Sequence, residues 1–278
     1  MGKLIVFWSP WHGQAKVTAS MGAAAVMMQK ITGEQVVMTH TQFGMADLEG
    51  CFDARRSADK RRVLYDGAGL QALILNFKQN QLTREQVERC TIPVLQEGLY
   101  LLPGVEQSQQ LSEDEDMEKV IETILLRAVV PAYDWTFVDL ASGKNRLSIR
   151  LMEQADMIVV MLSQNTATWS DFFNRWSSLA LQKNIFYMIG GYKRESKYTI
   201  NSFRHMLRTY TSDAQCGMIP DCTGYMDALS EGQAALFFLM NRKVKKKEEN
   251  FEFVQECTKT VQQLLQYIRE VPKTWKNG

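Results

Sequence analysis

Short runs of consecutive apolar residues recur along the chain, and helical patterns separate them. The apolar runs lie at 3–8, 35–40, 98–103, 134–140, 157–162, 185–190 and 216–220. Continuous apolarity, rather than alternation, is typical of strands that are buried on both faces of a sheet. Helical patterns lie between the runs, at 17–31, 117–130, 168–181, 198–210 and 253–271. The sequence therefore predicts an α/β fold: a doubly wound, mostly parallel sheet with helices on both faces.

Length and composition bound the class of protein. The chain has 278 residues, of which 45% are hydrophobic and 23% charged, as is ordinary for a protein with a sizeable core. We expect one large domain over 1–278, with two smaller domains as the alternative. The 32 lysines and arginines nearly balance the 31 aspartates and glutamates, so no global charge would draw the chain to nucleic acid or anionic lipid.

The N-terminal segment and the cysteines indicate a cellular compartment. The apolar run that follows Lys3 is too short for a signal peptide, and no stretch approaches the roughly 18 apolar residues of a membrane span. The five cysteines are scattered, without the spacing of a zinc site or the density of a disulfide scaffold. The sequence predicts a cytoplasmic protein with reduced thiols, for which association with a membrane through its partners stays open.

The segment between the first strand and the first helix has several features of a phosphate-binding loop. It reads WHGQAKVT over 11–18 and contains Gly13 and Lys16. Such a loop needs glycines that let backbone N–H groups face the phosphates, a lysine for the β- and γ-phosphates, and a Ser or Thr hydroxyl for Mg²⁺. The helix that begins near Val17 would direct the positive end of its dipole toward an anion.

This loop resembles that of the ParA/MinD family of deviant Walker ATPases, which reads KGGVGKTT after a strand. Gly13, Lys16 and Thr18 match the family residues. Four positions depart from the pattern: Trp11 replaces the signature lysine that reaches the partner's nucleotide in a dimer, His12 and Ala15 replace glycines, and Val17 replaces the threonine that binds Mg²⁺. Because valine cannot coordinate a metal, the resemblance implies weakened magnesium binding.

Four later segments resemble the family in the same order, so that the resemblance covers roughly 3–240. They are GLYLLPG (98–104), YDWTFVDLASG (133–143), LMEQADMIVVMLSQN (151–165) and MIPDCTGYMDALSEGQAALFF (218–238). By this resemblance Asp139 holds the magnesium shell and Gly143 lies beside the γ-phosphate. Pro220 and Asp221 lie near the adenine.

Further family features are missing. The segment THTQFG (39–44) lies where the family has DLDPQG, so Thr39 and Thr41 replace aspartates that arrange metal and water, and Gly44 alone persists. Threonine is no general base and carries no negative charge, so hydrolysis is weakened a second time. The adenine-side asparagine is absent, and Gly190 and Gly191 follow the sixth strand instead.

The resemblance implies a degenerate member of this family: a homodimeric ATP-binding protein with weak or absent ATPase activity. ATP would contact Gly13, Gln14, Ala15, Lys16, Val17, Thr18, Asp139, Gly143, Pro220 and Asp221, and Mg²⁺ would contact Thr18 and Asp139. The TadZ/CpaE group within the family, which positions pilus secretion machinery in bacteria, has atypical loops of this kind. We therefore expect a role in positioning or assembling a bacterial machine such as a Tad-type pilus, with protein partners of that machine.

Two alternatives stay open at this point. The chain could be an active ATPase switch in DNA or plasmid partitioning, with Thr18 binding the metal and Trp11 or His12 replacing the signature lysine. It could also be an adaptor on DNA or a membrane surface through the basic run 242–247 and a C-terminal amphipathic helix at about 251–271. A solvated lysine-rich face and a helix packed on the sheet are the commoner outcomes for these two features.

Overall fold

The computed structural model describes residues 2–42, 48–53, 67–79, 82–95, 98–105, 115–180, 184–210 and 215–270. Eight strands form one sheet in the order β3-β4-β2-β5-β1-β6-β7-β8. They are β1 (Lys3–Trp8), β2 (Val36–His40), β3 (Ile92–Leu95), β4 (Leu99–Leu101), β5 (Trp135–Asp139), β6 (Met157–Leu162), β7 (Ile185–Tyr192) and β8 (Gln215–Pro220). Each of the seven apolar runs forms a strand, which confirms the predicted mostly parallel sheet.

The edge strand β3 was not predicted. It pairs antiparallel with β4, whereas all the other neighbouring strands pair in parallel. Proline lacks the N–H group of a ladder donor and is confined in sheets to edges and irregular positions, and β3 contains Pro93 beside a shift in register. Four residues with a central proline give no strand pattern in the sequence.

Helices cover both faces of the sheet. They are α1 (Val17–Thr32), α2 (Leu48–Phe52), α3 (Gly69–Lys78), α4 (Arg84–Arg89), α5 (Glu115–Ile124), α6 (Arg146–Gln154), α7 (Thr166–Arg175), α8 (Ser177–Ala180), α9 (Ile200–Tyr210), α10 (Thr223–Ser230), α11 (Ala234–Met240) and α12 (Phe251–Glu270). After α5 the chain continues through a π-helical turn, Leu125–Val129, and a last turn, Val130–Ala132.

The single helix predicted over 168–181 is two helices with a break at Trp176. The backbone of Trp176 leaves the helical region, and its ring packs edge-on against Trp8 with the ring centroids 4.7 Å apart. The contact with the central strand β1 thus holds Trp176 where the regular helix ends. The aromatic residues of α7 are buried, and Phe173 stacks on Tyr210 with the ring centroids 4.2 Å apart, so these residues belong to the core.

Two apolar cores lie on opposite faces of the sheet. The second core includes α1, whose middle is a run of fully buried small residues, Ala23, Ala24 and Ala25. Small side chains let this helix lie close to the strands, so its N-terminus is fixed at the carboxyl end of β1. This end of a parallel sheet is where ligands bind in doubly wound folds.

Helix α12 packs on β8 and α1 with the apolar stripe that the sequence shows. The stripe residues are buried: Val254, Cys257, Val261, Leu264, Leu265 and Ile268. The hydroxyl of Thr260 donates to the carbonyl of Met218 at 2.8 Å and accepts from the N–H of Met218 at 3.1 Å, so the helix also covers the outer edge of β8.

That residues 1–278 form a single domain stays a prediction. None of the helices in the described segments is long and apolar enough to cross a membrane.

Replacing Leu264 with alanine should destabilise the chain by about 2–5 kcal/mol, because a fully buried leucine leaves a cavity. Urea unfolding followed by circular dichroism measures the loss. Gln262→Ala, at an exposed position one half-turn away, is the control and should change the free energy of unfolding by less than about 0.5 kcal/mol. Equal unfolding midpoints for the two variants would contradict the packing of α12 on the sheet.

Candidate functional site

The loop between β1 and α1 is seated on the end of β7. Gly13 and Lys16 both have positive φ angles, 73° and 48°, and Lys16 is the one non-glycine residue among the described segments with this conformation. Ala15 is buried, and its carbonyl oxygen lies so close to Gly190 that a Cβ atom there would overlap it. Ala15, which replaces a family glycine, therefore lies where the loop packs directly on the sheet.

Lys16 reaches out of the loop to an acidic residue. Its Nζ lies 2.6 Å from Oδ1 of Asp221, and Nζ of Lys193 lies 4.0 Å from Oδ2 of the same carboxylate. Asp221 directly follows β8 and donates its backbone N–H to the carbonyl of Tyr192 at 2.9 Å. Two residues predicted to contact different ends of a nucleotide are thus paired with each other.

Thr18 and Asp139 are also paired. The Thr18 hydroxyl donates to Oδ2 of Asp139 at 2.6 Å, and the Gln42 side-chain amide donates to Oδ1 at 2.8 Å. Burial raises the pKa of the fully buried Asp139 carboxyl, while these two donors and the nearby His40 oppose the rise. The carboxylate has one hydrogen-bond donor on each oxygen.

A magnesium ion at Asp139 would share these oxygens with two hydrogen-bond donors. Magnesium takes near-octahedral oxygen ligands, commonly one or two carboxylates, waters and substrate phosphates. Here both oxygens of Asp139 accept hydrogen bonds, and Val17 supplies no oxygen at the loop position where the family has threonine. Within the described segments no group of three or more His, Cys, Asp or Glu side chains could hold a metal. Metal ligation by Thr18 and Asp139 stays a prediction.

The remaining predicted residues line the same edge of the sheet. The Gly143 N–H donates to the carbonyl of Ser9 at 3.1 Å, and its own carbonyl accepts from the indole N–H of Trp8 at 3.2 Å. Thr41 accepts a bond from the N–H of Ala141 at 3.3 Å, so it joins the loop after β5 rather than pointing at a ligand. Gly44 lies outside the described residues.

Trp11 and Gln14 differ in their surroundings. Trp11, at the position of the family's signature lysine, is half-buried and packs against the first core. Gln14 is exposed. The core contact of Trp11 accounts for the aromatic residue at this position without a ligand.

Six of the ten residues predicted to contact ATP line one of two pockets. The first has a volume of about 440 Å³ and is lined by residues that include Gly13, Lys16, Val17, Thr18, Gln42 and Ser142. The second has a volume of about 400 Å³ and is lined by residues that include Tyr192, Lys193, Pro220, Asp221 and Phe253. The pair of Lys16 and Asp221 joins the two, because each pocket is lined by one of these side chains.

Sequence reasoning missed a buried ion pair behind this edge. Nε2 of His40 lies 2.9 Å from Oε1 of Glu49, and the same oxygen accepts the N–H of Gly104 at 2.8 Å. Burial opposes ionisation of both groups, but their mutual hydrogen bond and attraction outweigh it, so the pKa of His40 is raised and that of Glu49 falls from 4.5 to about 2. The nine-residue separation gives no helix or strand spacing that could have revealed the pair.

The pair of His40 and Glu49 makes stability depend on pH. The raised His40 pKa contributes stability that is full below its ordinary value of 6.5 and is lost as pH rises through the folded value. The lowered Glu49 pKa contributes stability that is full above 4.5 and is lost as pH falls toward about 2. We therefore expect this contribution to be largest between about pH 4.5 and 6.5.

Melting temperatures measured from pH 5 to 9 test this expectation. The wild type should lose the contribution of the pair above pH 6.5, and Glu49→Gln should flatten that dependence and lower stability by about 3 kcal/mol, since it leaves a buried histidine without its charged partner. His205→Gln, at an exposed position, is the control. An unchanged pH profile in Glu49→Gln would contradict the charged pair.

Asp139→Asn should leave the chain as stable as the wild type or more stable. A raised pKa means that the ionised carboxylate destabilises the folded chain at neutral pH, and the Gln42 amide can rotate to donate or accept. We expect a gain of up to about 1 kcal/mol, or about 2 °C in melting temperature. Asp156→Asn is the contrasting variant. Asp156 accepts hydrogen bonds from Lys3 and from the N–H of Leu4, so its substitution should destabilise the chain. A large stability loss in Asp139→Asn would contradict this account.

Solved structures show where this fold occurs. No family model and no curated protein matches the sequence. A ParA family ATPase from Chlorobium tepidum TLS is 13% identical with a TM-score of 0.69, over 94% of this chain and 98% of that one. MinD in the MinC:MinD cell division protein complex from Aquifex aeolicus is 17% identical with a TM-score of 0.64, over 95% and 96%.

A third neighbour is the septum site-determining protein MinD from Pyrococcus horikoshii OT3, complexed with Mg-ADP. It is 16% identical with a TM-score of 0.64, over 98% of this chain and 100% of that one. Likeness at this identity concerns the fold. The chain therefore has the fold of the ParA/MinD P-loop ATPases over nearly its whole length.

Proposed function

We propose that this chain is a degenerate ParA/MinD-type protein that binds ATP and hydrolyses it weakly or not at all. The observation that carries the proposal is the combination of a P-loop fold with an Asp139 carboxylate that accepts hydrogen bonds from Thr18 and Gln42, beside a loop in which Val17 offers no hydroxyl. Lys16 and the N-terminus of α1 can attract phosphates. Val17 replaces the family's magnesium-binding threonine, and Thr39 and Thr41 replace the aspartates that arrange metal and water.

The proposed loss of turnover follows from the chemistry of the replacements. Hydrolysis of a nucleotide by P-loop ATPases uses a metal held by a loop hydroxyl and an acidic residue that helps to position water. Val17 has no hydroxyl, and Thr39 and Thr41 have no charge. The Thr39 side chain is also fully buried. Binding can persist because it depends on Lys16 and backbone N–H groups.

A protein that binds nucleotide without turning it over acts through its conformation and its partners. We propose a homodimer that positions or assembles a bacterial machine, with the TadZ/CpaE group and its Tad-type pilus as the candidate system. One neighbour of the same fold is a MinC:MinD complex, which supports protein partners as the mode of action. The lysines of 242–247 are exposed, but α12 is packed in the core, so the observations favour protein partners over a membrane surface.

Calorimetry with ATP, in Mg²⁺ and in a chelator, tests binding, and a phosphate-release assay on the same samples tests turnover. We expect ATP to bind with affinities that differ by less than about threefold between the two conditions, because the loop lacks the family's magnesium ligand. Lys16→Ala should weaken binding at least about tenfold, since a charge-assisted bond to phosphate is lost. Phosphate release should not exceed background.

Lys30→Ala is the matched control, because Lys30 lies at the other end of α1 and is exposed. It should bind ATP as the wild type does. Magnesium-dependent turnover would support the alternative, an active ATPase switch. The absence of ATP binding would show that the fold serves interaction alone.

A further inference from the structure

The pairing of Lys16 with Asp221 joins residues that are 205 positions apart in the sequence. The lysine of a phosphate loop normally serves the anionic ligand. Here its ammonium group has the Asp221 carboxylate at 2.6 Å. An incoming phosphate would therefore meet a lysine whose charge is already offset, with a negative charge beside it.

The backbone of β7 is shaped to let Lys16 take this path. Gly191 lies at a shift in register between β7 and β8 and has a φ angle of 61°. A Cβ atom at Gly191 would approach Cδ and Cε of Lys16 to 3.0 and 3.2 Å, so the lysine stem runs directly over this glycine. The neighbouring Gly190 receives the carbonyl of Ala15. The two glycines thus seat both the loop and the lysine side chain.

We propose that Asp221 is an internal counter-ion that holds Lys16 and competes with phosphate for it, so that anion binding at the loop requires exchange of this ion pair. The inference rests on the proposed function, because it concerns the regulation of the same site. Asp221 is a positioning residue in this account: it acts on the ligand through Lys16.

Lys193 lowers the free-energy cost of transferring Lys16 from Asp221 to a phosphate. Its Nζ lies 4.0 Å from the other oxygen of Asp221, so the carboxylate keeps a cation when Lys16 turns to a phosphate. The backbone of Lys193 is held on both sides by Gln164, whose side chain accepts its N–H at 2.9 Å and donates to its carbonyl at 3.0 Å. The backbone that carries this second partner is therefore held beside Asp221 before the exchange begins. Removing Lys193 should leave Lys16 as the remaining cation beside Asp221 and strengthen the ion pair between Lys16 and Asp221.

Chemical labelling tests the ion pair without any nucleotide. An amine-acetylating reagent, with mass spectrometry of the Lys16 peptide, measures how accessible the Lys16 side-chain amine is to reaction. Asp221→Asn should raise the labelling rate of Lys16 at least about twofold and leave that of Lys30 unchanged. Asp227→Asn, an equal charge change at an exposed position of α10, is the control and should change neither rate. Equal Lys16 rates in Asp221→Asn and Asp227→Asn would overturn the ion pair.

Calorimetry with ATP tests the competition. Asp221→Asn should tighten binding about threefold, the effect of losing one partly exposed ion pair. Lys193→Gln should weaken binding in the wild type and have no effect in the Asp221→Asn background, because Lys193 acts through Asp221. A weakening that persists in that background would show that Lys193 contacts the nucleotide and would overturn its role as the second partner.

The two experiments separate the failure of this inference from that of the proposed function. Faster Lys16 labelling with no ATP binding in any variant would refute nucleotide binding and, with it, the competition, while the ion pair would stand. ATP binding that depends on Lys16 but is unaffected or weakened by Asp221→Asn would support the proposed function and overturn the competition. Tighter binding together with faster labelling supports both.

Discussion

The parallel pairing of β1 with β5, and of β5 with β2, fixes the geometry of the site. Phe7 and His40 are both register partners of Asp139, so three strands end at the same level. Because the loop before α1 follows β1, this register places Thr18 within hydrogen-bond distance of Asp139. The same register places His40 behind that carboxylate, where it binds Glu49, whose Oε1 also accepts the N–H of Gly104. A slip by one residue would turn these side chains to opposite faces of the sheet.

Much of this fold could be predicted from the sequence because its strands are buried on both faces. Seven runs of apolar residues are strands, and helices lie between them, since no polar alternation obscures the pattern. The edge strand β3 could not be recognised, because Pro93 interrupts a short segment that is only partly buried. The break at Trp176 also has no local cause: it depends on Trp8, on a strand far away in sequence.

The sequence indicates candidate residues for the site but not the contacts among them. The loop, Thr18, Asp139 and Asp221 are named from the resemblance to the ParA/MinD family, and their role as a site stays a prediction. That Lys16 binds Asp221 could not be foreseen, because neither residue type nor spacing shows which carboxylate a flexible lysine reaches. The pair of His40 and Glu49 is hidden for a similar reason: α2 brings the glutamate back to the strand end only in the folded chain.

The charges at this edge are balanced within the chain, and this balance distinguishes the site from an open anion-binding loop. Asp139 accepts two neutral donors, Asp221 has two lysines, and Glu49 has His40. Neutral donors compensate a buried carboxylate less well than a cation does, and burial raises the pKa of Asp139, so its charge is unfavourable to the folded chain. A lysine shared with an exposed carboxylate is the opposite case, because water and a second lysine can replace it easily. Exchange of a charged partner at this site therefore occurs more readily at Lys16 and Asp221 than at the buried carboxylates. The buried carboxylates keep their contacts at the strand ends while Lys16 exchanges Asp221 for a phosphate.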